Sequence, residues 1–294
     1  MKSHSSNPHE TVADTASPSD EKPILVLGGT GKTGRRVVAR LRERGLAARV
    51  GSRSASPAFD WAREASWQPC LDGVGAVYIS YSPDLAVPGA QDTIRAFVDR
   101  AVEHGVERLV LLSGRGEEEA QACEAIVQQS GLAWTVVRAA WFHQNFSEGA
   151  FASMVPTGQI TLPAVDVREP FVDVDDIADV AVATLTEPGH DAEVYEVTGP
   201  RLMSFEELAA DLSEATGREI VYVPVPHDAF IDGVKQSGAP QEVTWLLDYL
   251  FSTVLDGRNE HLTDGVQRAL GRPPKDFADY ARDMAAAGVW RLAS

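Results

Sequence analysis

The segment Gly28-Gly29-Thr30-Gly31-Lys32-Thr33-Gly34 carries glycines at 28, 31 and 34, a GxxGxxG spacing. It follows the apolar run Ile24-Leu25-Val26-Leu27 and precedes a helical pattern with Val37, Val38 and Leu41 on one face. Glycines at a strand-to-helix turn allow positive φ, close backbone approach to a pyrophosphate and tight helix–strand packing. The N–H groups that open the helix, aided by its dipole, then hold phosphate charge. Gly31-Lys32-Thr33 also matches the end of the nucleoside-triphosphate loop GxxxxGK[ST], but the first glycine of that motif would fall on Val26. The spacing predicts a dinucleotide rather than ATP.

The type of dinucleotide is read at the end of the next strand. An acid there takes a ribose 2′-OH, whereas an arginine accommodates a 2′-phosphate. The sequence at that point is Val50-Gly51-Ser52-Arg53-Ser54, without an acid. Arg53 offers a planar fork of donors, and Ser52 and Ser54 add hydroxyls. Lys32, Arg35 and Arg36 place more positive charge nearby in a chain of net charge −17. The expected cofactor is NADPH (NADP+). Asp60, in Phe59-Asp60-Trp61 after a strand-like stretch, has two open readings: it reaches the adenine amine, or it closes a turn.

Hydride transfer to a carbonyl needs an acid. Short-chain dehydrogenases normally use a Tyr-x-x-x-Lys pair, in which the lysine lowers the phenol pKa. The six tyrosines, Tyr78, Tyr81, Tyr195, Tyr222, Tyr249 and Tyr280, are followed four residues on by Ser82, Leu85, Gly199, Pro226, Thr253 and Met284, never by lysine. Two explanations remain. Either the chain binds its cofactor without reducing anything, or it reduces a group that needs little acid. An iminium ion is such a group, because hydride neutralises it without a proton. A neutral imine needs one proton.

The elements that must position these residues follow a clear rhythm. Apolar runs at 46–51, 74–80, 107–113 and 132–138 alternate with helical patterns at 89–104 and 117–130, which Gly105 and Gly131 stop. Such alternation predicts an α/β fold, a doubly wound parallel sheet (Rossmann fold). Beyond residue 150 the rhythm breaks into a helix over 173–187, a strand over 192–198, a helix over 204–216 and a short strand over 221–225. The rest is mostly helical. Ser204 and Glu207 form a capping-box pair at the start of the third of these. The expected organisation is a disordered tail over 1–22, an NADP-binding core over 23–150 and a smaller, mostly helical substrate-binding subdomain over 151–294. Residues 173–200 of the last part return to the sheet. Asp173, Asp175 and Asp176 read as carboxylates that open a helix, not as metal ligands.

Composition narrows the partners. The acidic balance argues against nucleic acid and against anionic lipid. No apolar run reaches the length of a membrane span, and the N-terminus lacks the apolar region of a secretory signal. Cys70 and Cys123 show no CxxC spacing and read as reduced thiols. The expectation is a cytoplasmic protein with a small-molecule substrate and no metal, with a homodimer left open.

Three segments together resemble the NmrA-like branch of atypical short-chain dehydrogenases, over roughly residues 24–290. They are Val26 to Gly34, Thr135-Val136-Val137-Arg138-Ala139-Ala140-Trp141-Phe142-His143-Gln144-Asn145-Phe146, and Phe171-Val172-Asp173-Val174-Asp175-Asp176-Ile177-Ala178. Arg53-Ser54, Phe59-Asp60-Trp61 and the run from Trp141 to Glu148 are similar to the ergot-alkaloid branch of festuclavine dehydrogenase type, whose members reduce a cyclic iminium with NADPH. The sequence departs from the common pattern at Ala139-Ala140, where Arg-Pro-x is frequent, and lacks a lysine that many relatives carry in the helix after Ser113.

The resemblance implies a place for each segment. Gly28, Thr30, Gly31, Lys32, Thr33 and Gly34 would face the pyrophosphate. Ser80, Tyr81, Ser82 and Pro83 would run along the nicotinamide ribose, and Ser113 and Gly114 would lie near the nicotinamide. Ala140, Trp141 and Phe142 would close over it. Trp141, Phe142, Asn145 and Phe146, with Tyr81, would wall an aromatic substrate pocket. Tyr81, Ser113 and His143 are the candidate proton donors. The expected function is an NADPH-dependent reductase of a hydrophobic, cyclic imine or iminium, or of an activated C=O or C=C bond. The alternative is a non-catalytic NADP(H)-binding redox sensor. Isomerase or lyase chemistry stands behind both.

Overall fold

Leu25 and Leu27 of the first strand pack to one side with Ile94, Phe97 and Val127, while Ile24 and Val26 pack to the other with Val37, Leu41 and Ile177. Successive side chains on a strand point to opposite faces, so a strand buried on both faces must be apolar throughout. This is why the first strand is a continuous apolar run. The computed structural model describes residues 22–149, 151–164 and 166–291. The tail expected over 1–22 lies, apart from Lys22, outside the described residues.

The first half alternates as expected: β1 (Ile24–Leu27), α1 (Lys32–Glu43), β2 (Ala48–Gly51), the single turn α2 (Gln68–Leu71), β3 (Ala76–Ile79), α3 (Ala90–Glu103), β4 (Arg108–Gly114), α4 (Glu118–Gln128) and β5 (Ala133–Ala139). The second half runs α5 (Met154–Thr157), β6 (Gln159–Leu162), α6 (Val174–Thr186), β7 (Glu193–Val197), α7 (Phe205–Thr216), β8 (Val221–Pro224), α8 (His227–Gln236), α9 (Gln241–Tyr249), α10 (Gly265–Leu270) and α11 (Phe277–Ala286). Six parallel strands form one sheet in the order β2-β1-β3-β4-β5-β7. The chain leaves β1 first toward β2 and then crosses to β3. The order therefore reverses at β1, and the crevice for a ligand opens beyond the carboxyl ends of β1 and β3.

Helices cover both faces. α3 and α4 cover one, and α1 and α6 cover the other. Arg40 of α1 pairs with Asp175 and Asp179 of α6, which fixes these two helices side by side. Asp173 caps α6 by accepting from the Asp175 N–H at 2.8 Å, so the acidic run opens the helix as its sequence indicated. A third apolar cluster joins Phe146, Phe171, Phe205, Phe251, Phe277 and Tyr280 and holds the C-terminal helices against the sheet.

Two features differ from the sequence reading. No strand precedes Asp60: residues 52–63 form turns, with Pro57 lacking an N–H to donate and Phe59 buried against Trp61 and Phe97. β6 was not foreseen. It pairs in parallel with β8 as a separate two-stranded sheet; its sequence, Gln-Ile-Thr-Leu, is neither a continuous apolar run nor long enough for an alternation to stand out.

Candidate cofactor and substrate site

The glycine loop is built by contact as well as by conformation. Gly28 sits at φ +64°, in the left-handed region, with Ser80 immediately beside it. A Cβ on Gly34 would lie 2.2 Å from the Gly28 carbonyl oxygen, so the start of α1 packs directly on the loop. Gly31 precedes α1 without a side-chain cap, and the first turn of the helix holds no acid. The opening N–H groups therefore keep no intrahelical partner and face no competing carboxylate. Thr30 and Gly31 are exposed at the rim. This cradle fits a pyrophosphate: small, rich in free donors and closed to any side chain at position 34.

The neighbouring cations divide into engaged and free. Arg35 and Arg36 both pair with Glu148, and Arg36 also reaches Asp175 at 3.2 Å. They brace α1 against the loop after β5 rather than standing open. Lys32 donates to Asn145 at 2.8 Å, and burial pulls its pKa down from the ordinary lysine value. Arg53 is exposed, and among the described residues its side chain has no hydrogen-bond partner. Ser52 and Ser54 flank it, their hydroxyls 3.3 Å apart. The Arg53 fork of donors is therefore left open to solvent. Asp60 instead accepts from the Ala62 N–H at 3.1 Å, which is its turn-closing reading.

The candidate proton donors separate in the structure. Tyr81 packs on Trp61 at 4.9 Å between ring centres, so it belongs with the cluster under the 52–63 loop and not with Trp141. Ser113 donates to Glu124 at 2.6 Å, and Arg138 holds that carboxylate from the other side at 2.9 and 2.5 Å. His143 is fully buried. Its Nε2 lies 2.9 Å from the Phe171 carbonyl, and Phe277 and Tyr280 flank its ring. Asp173 lies beside it. Burial opposes the charge of Asp173, but the nearby His143 ring, 3.7 Å away, and hydrogen bonds from the Asp175 N–H and Gln144 outweigh it and hold the carboxyl at about 2. His143 is thus a core residue that ties the loop after β5 to α6. Phe146 is likewise sealed between Phe151, Phe171 and Phe277, and does not wall a pocket.

Trp141 and Phe142 leave β5 as Ala140 donates to Val197 and Val172 donates to Trp141. Trp141 remains partly exposed and meets Phe151 at 6.4 Å and Phe251 at 5.3 Å, with Phe230 behind Phe251 at 5.1 Å. Phe142 turns to the core under α6. The sequence reading missed Phe151, Phe230 and Phe251. They come from segments more than 100 residues apart or outside the strand–helix rhythm, and only folding brings them to Trp141. Ser80, Ser82 and Pro83 follow β3, and Gly114 lies opposite Ala139 in register, so all of them sit along the same carboxyl edge.

Arg53→Ala is expected to weaken NADPH binding by about 1–3 kcal/mol, the size of a charge-assisted contact, and to leave NADH binding nearly unchanged. Fluorescence titration with both cofactors decides it, and equal losses would remove the 2′-phosphate assignment.

Residues 28–188 match the NAD(P)H-binding family. Agroclavine dehydrogenase of Claviceps fusiformis is 31% identical over 92% of this chain and 99% of its own length. The NAD(P)H azoreductase of Xenophilus azovorans is 32% identical over 90% of this chain and 98% of its own. An NADPH-dependent quinone oxidoreductase from Escherichia coli, solved with NADPH, superposes with a TM-score of 0.75 at 22% identity, covering 89% of this chain and 99% of that one. Among the described residues no helix is long and apolar enough to cross a membrane.

Proposed function

The chain belongs to the NAD(P)H-binding family, and from that premise we propose an NADPH-dependent reductase of hydrophobic, cyclic imines or iminium ions, with related activated C=O or C=C bonds as further substrates. It is an NAD(P)H-dependent oxidoreductase of the atypical short-chain dehydrogenase type. Gly28, Thr30, Gly31, Lys32, Thr33 and Gly34 would hold the pyrophosphate, and Arg53 with Ser54 the 2′-phosphate. Ser80, Ser82 and Pro83 would line the ribose, with Ser113, Gly114 and Ala140 beside the nicotinamide. When bound, the cofactor supplies hydride.

The observation that carries the substrate class is Trp141, partly exposed just beyond the carboxyl end of β5 and backed by the buried rings of Phe151 and Phe251. Its ring would stack on a flat apolar substrate. Ring faces also attract a cation, worth about 0.5–2 kcal/mol. The missing Tyr-x-x-x-Lys pair points the same way, toward a bond that accepts hydride without a strong acid. The names of the agroclavine dehydrogenase and azoreductase relatives are consistent with reduction of a nitrogen-containing π bond.

The test is NADPH consumption by the pure chain with a cyclic imine, an N-alkyl iminium, a quinone and an aryl ketone. Turnover is expected with the imine and the iminium. Turnover confined to the quinone or ketone overturns the nitrogen reading. No turnover at all, with NADPH binding retained, transfers support to the redox-sensor reading, which the absent Tyr–Lys pair favours.

A further inference from the structure

Glu117 precedes α4 at the position where an acid ordinarily folds back onto the free N–H groups of the helix. It makes no such bond. Its carboxyl lies instead over Gly114, where a Cβ would stand 2.1 Å from Oε1. The side chain is 6% exposed, and Oε2 has no hydrogen-bond partner. Asp84, one residue beyond Pro83, adds its negative charge to the surroundings of Glu117. Two carboxyl groups that sense each other's charge at a buried site resist ionising together, which favours a proton on one of them. Asp84 accepts from the Ala86 N–H at 2.9 Å, which favours its charged form, while burial raises its pKa. Glu117 lacks any such donor. Burial first, and then the charge of Asp84, push its pKa well above the ordinary glutamate value.

The surroundings act in the same direction. Glu119 and Glu124 of α4 add negative charge. The Cys123 thiol is pushed up to about 12 by burial and then by Asp84 and Glu124. Tyr249 of α9 donates to Glu119 at 2.5 Å. Arg258 donates to the Gly116 carbonyl but spends its charge on Asp256. Ser113, the other group here with a proton to give, gives it to Glu124.

We propose that Glu117, sharing a proton with Asp84 beside Gly114, is the acid that protonates the substrate during reduction, so that neutral imines and other bonds needing a proton fall within reach of this enzyme. The proposal rests on the reductase reading above. As hydride reaches the imine carbon, the C=N π pair moves to nitrogen. The Glu117 O–H bond breaks and an N–H bond forms. The products are an amine, the oxidised cofactor and an ionised Glu117, which regains a proton from water by way of Asp84. A preformed iminium needs no such step.

The experiment compares wild type, Glu117→Gln, Asp84→Asn and the exposed neighbour Glu118→Gln. The substrates are a weakly basic aromatic imine, neutral at pH 7.5, and its N-methyl iminium. Glu117→Gln is expected to lower kcat for the imine at least a hundredfold, the usual worth of a general acid, and for the iminium less than about threefold. Asp84→Asn should shift the pH profile for the imine. Glu118→Gln should change neither substrate. A second readout needs no turnover: the infrared difference between the resting wild type and Glu117→Gln should show a protonated-carboxyl stretch that the variant lacks, apart from any stretch of Glu169. Equal losses on both substrates, full imine activity in Glu117→Gln, or an unchanged infrared band each overturn the assignment. Wild type inert toward both substrates, with the band present, overturns the C=N reading while the proton-sharing pair stands.

Discussion

Gly34→Ala is expected to reduce NADPH affinity more than a hundredfold and to lower stability by about 1–3 kcal/mol, the cost of forcing atoms into a packed site. The new Cβ would lie 2.2 Å from the Gly28 carbonyl oxygen and 2.8 Å from the Gly29 Cα. Both are backbone, so no rotamer change relieves the contact. The loop that would cradle the pyrophosphate must move instead. Helix propensity opposes this, since Ala in place of Gly gains up to about 1 kcal/mol within a helix. The steric term wins because the obstruction cannot swing aside. Gly233→Ala is the internal control. Gly233 lies within α8 with nothing inside 4 Å of its would-be Cβ, so only the propensity gain applies and stability should rise. Fluorescence titration and thermal unfolding of both variants test the argument. Unchanged NADPH affinity in Gly34→Ala would refute the placement of the phosphates.

The second large effect concerns Glu169. Its side chain is 1% exposed, and neither carboxyl oxygen has a hydrogen-bond partner. Burial pushes its pKa up to about 8, with Glu260 and Asp256 adding to the rise and Arg115 opposing it. Arg115, the largest of the charge effects, opposes the rise without reversing it, while its guanidinium donates to the Asn259 and His261 carbonyls. The folded chain therefore keeps this proton between pH 4.5 and 8, while the unfolded chain releases it. Unfolding then sheds a proton, and stability falls as pH rises through that window by about 1.4 kcal/mol per unit. Glu169→Gln removes the slope. The buried amide brings a cost of about 1–3 kcal/mol where it lacks partners, but that cost does not vary with pH. Urea unfolding from pH 5 to pH 8.5 should show the two stability curves converging, or crossing, toward high pH. Parallel curves would show that Glu169 is ionised in the folded protein.

The strands β1 to β5 and the helices α1, α3 and α4 were legible in the sequence because each strand has a mostly apolar core, and each of these helices ends at a glycine (Gly45, Gly105 or Gly131) with positive φ; the single turn α2 was not. The capping box of α7 was legible because Ser204 and Glu207 bond each other's backbone locally, at 3.2 and 3.0 Å. β6 was not, because Gln-Ile-Thr-Leu mixes polar and apolar residues over too few positions to show either an apolar run or a period of two. The same division runs through the candidate site. The placement of the glycine loop between β1 and α1, and of Arg53 just after β2, could be read from spacing alone, because it depends on local backbone and on position after a strand. His143 and Phe146 were misplaced, because the burial of a side chain after β5 depends on α6 and α11 packing over it. Ser113 was taken for an available donor, because nothing local shows that Glu124 and Arg138 claim its hydroxyl.

The sequence by itself determined the parallel sheet, the glycine-rich turn between its first strand and helix, and the absence of a Tyr-x-x-x-Lys pair. Each of these is written in contiguous residues or in a count. Tertiary structure alone decided which aromatic rings meet Trp141, which cations stay free, and that Asp84 and Glu117, 33 positions apart, sense each other's charge. Those outcomes depend on burial and on charges brought together from distant segments, and the free energy of a buried or paired group is set by its neighbours in space rather than in sequence.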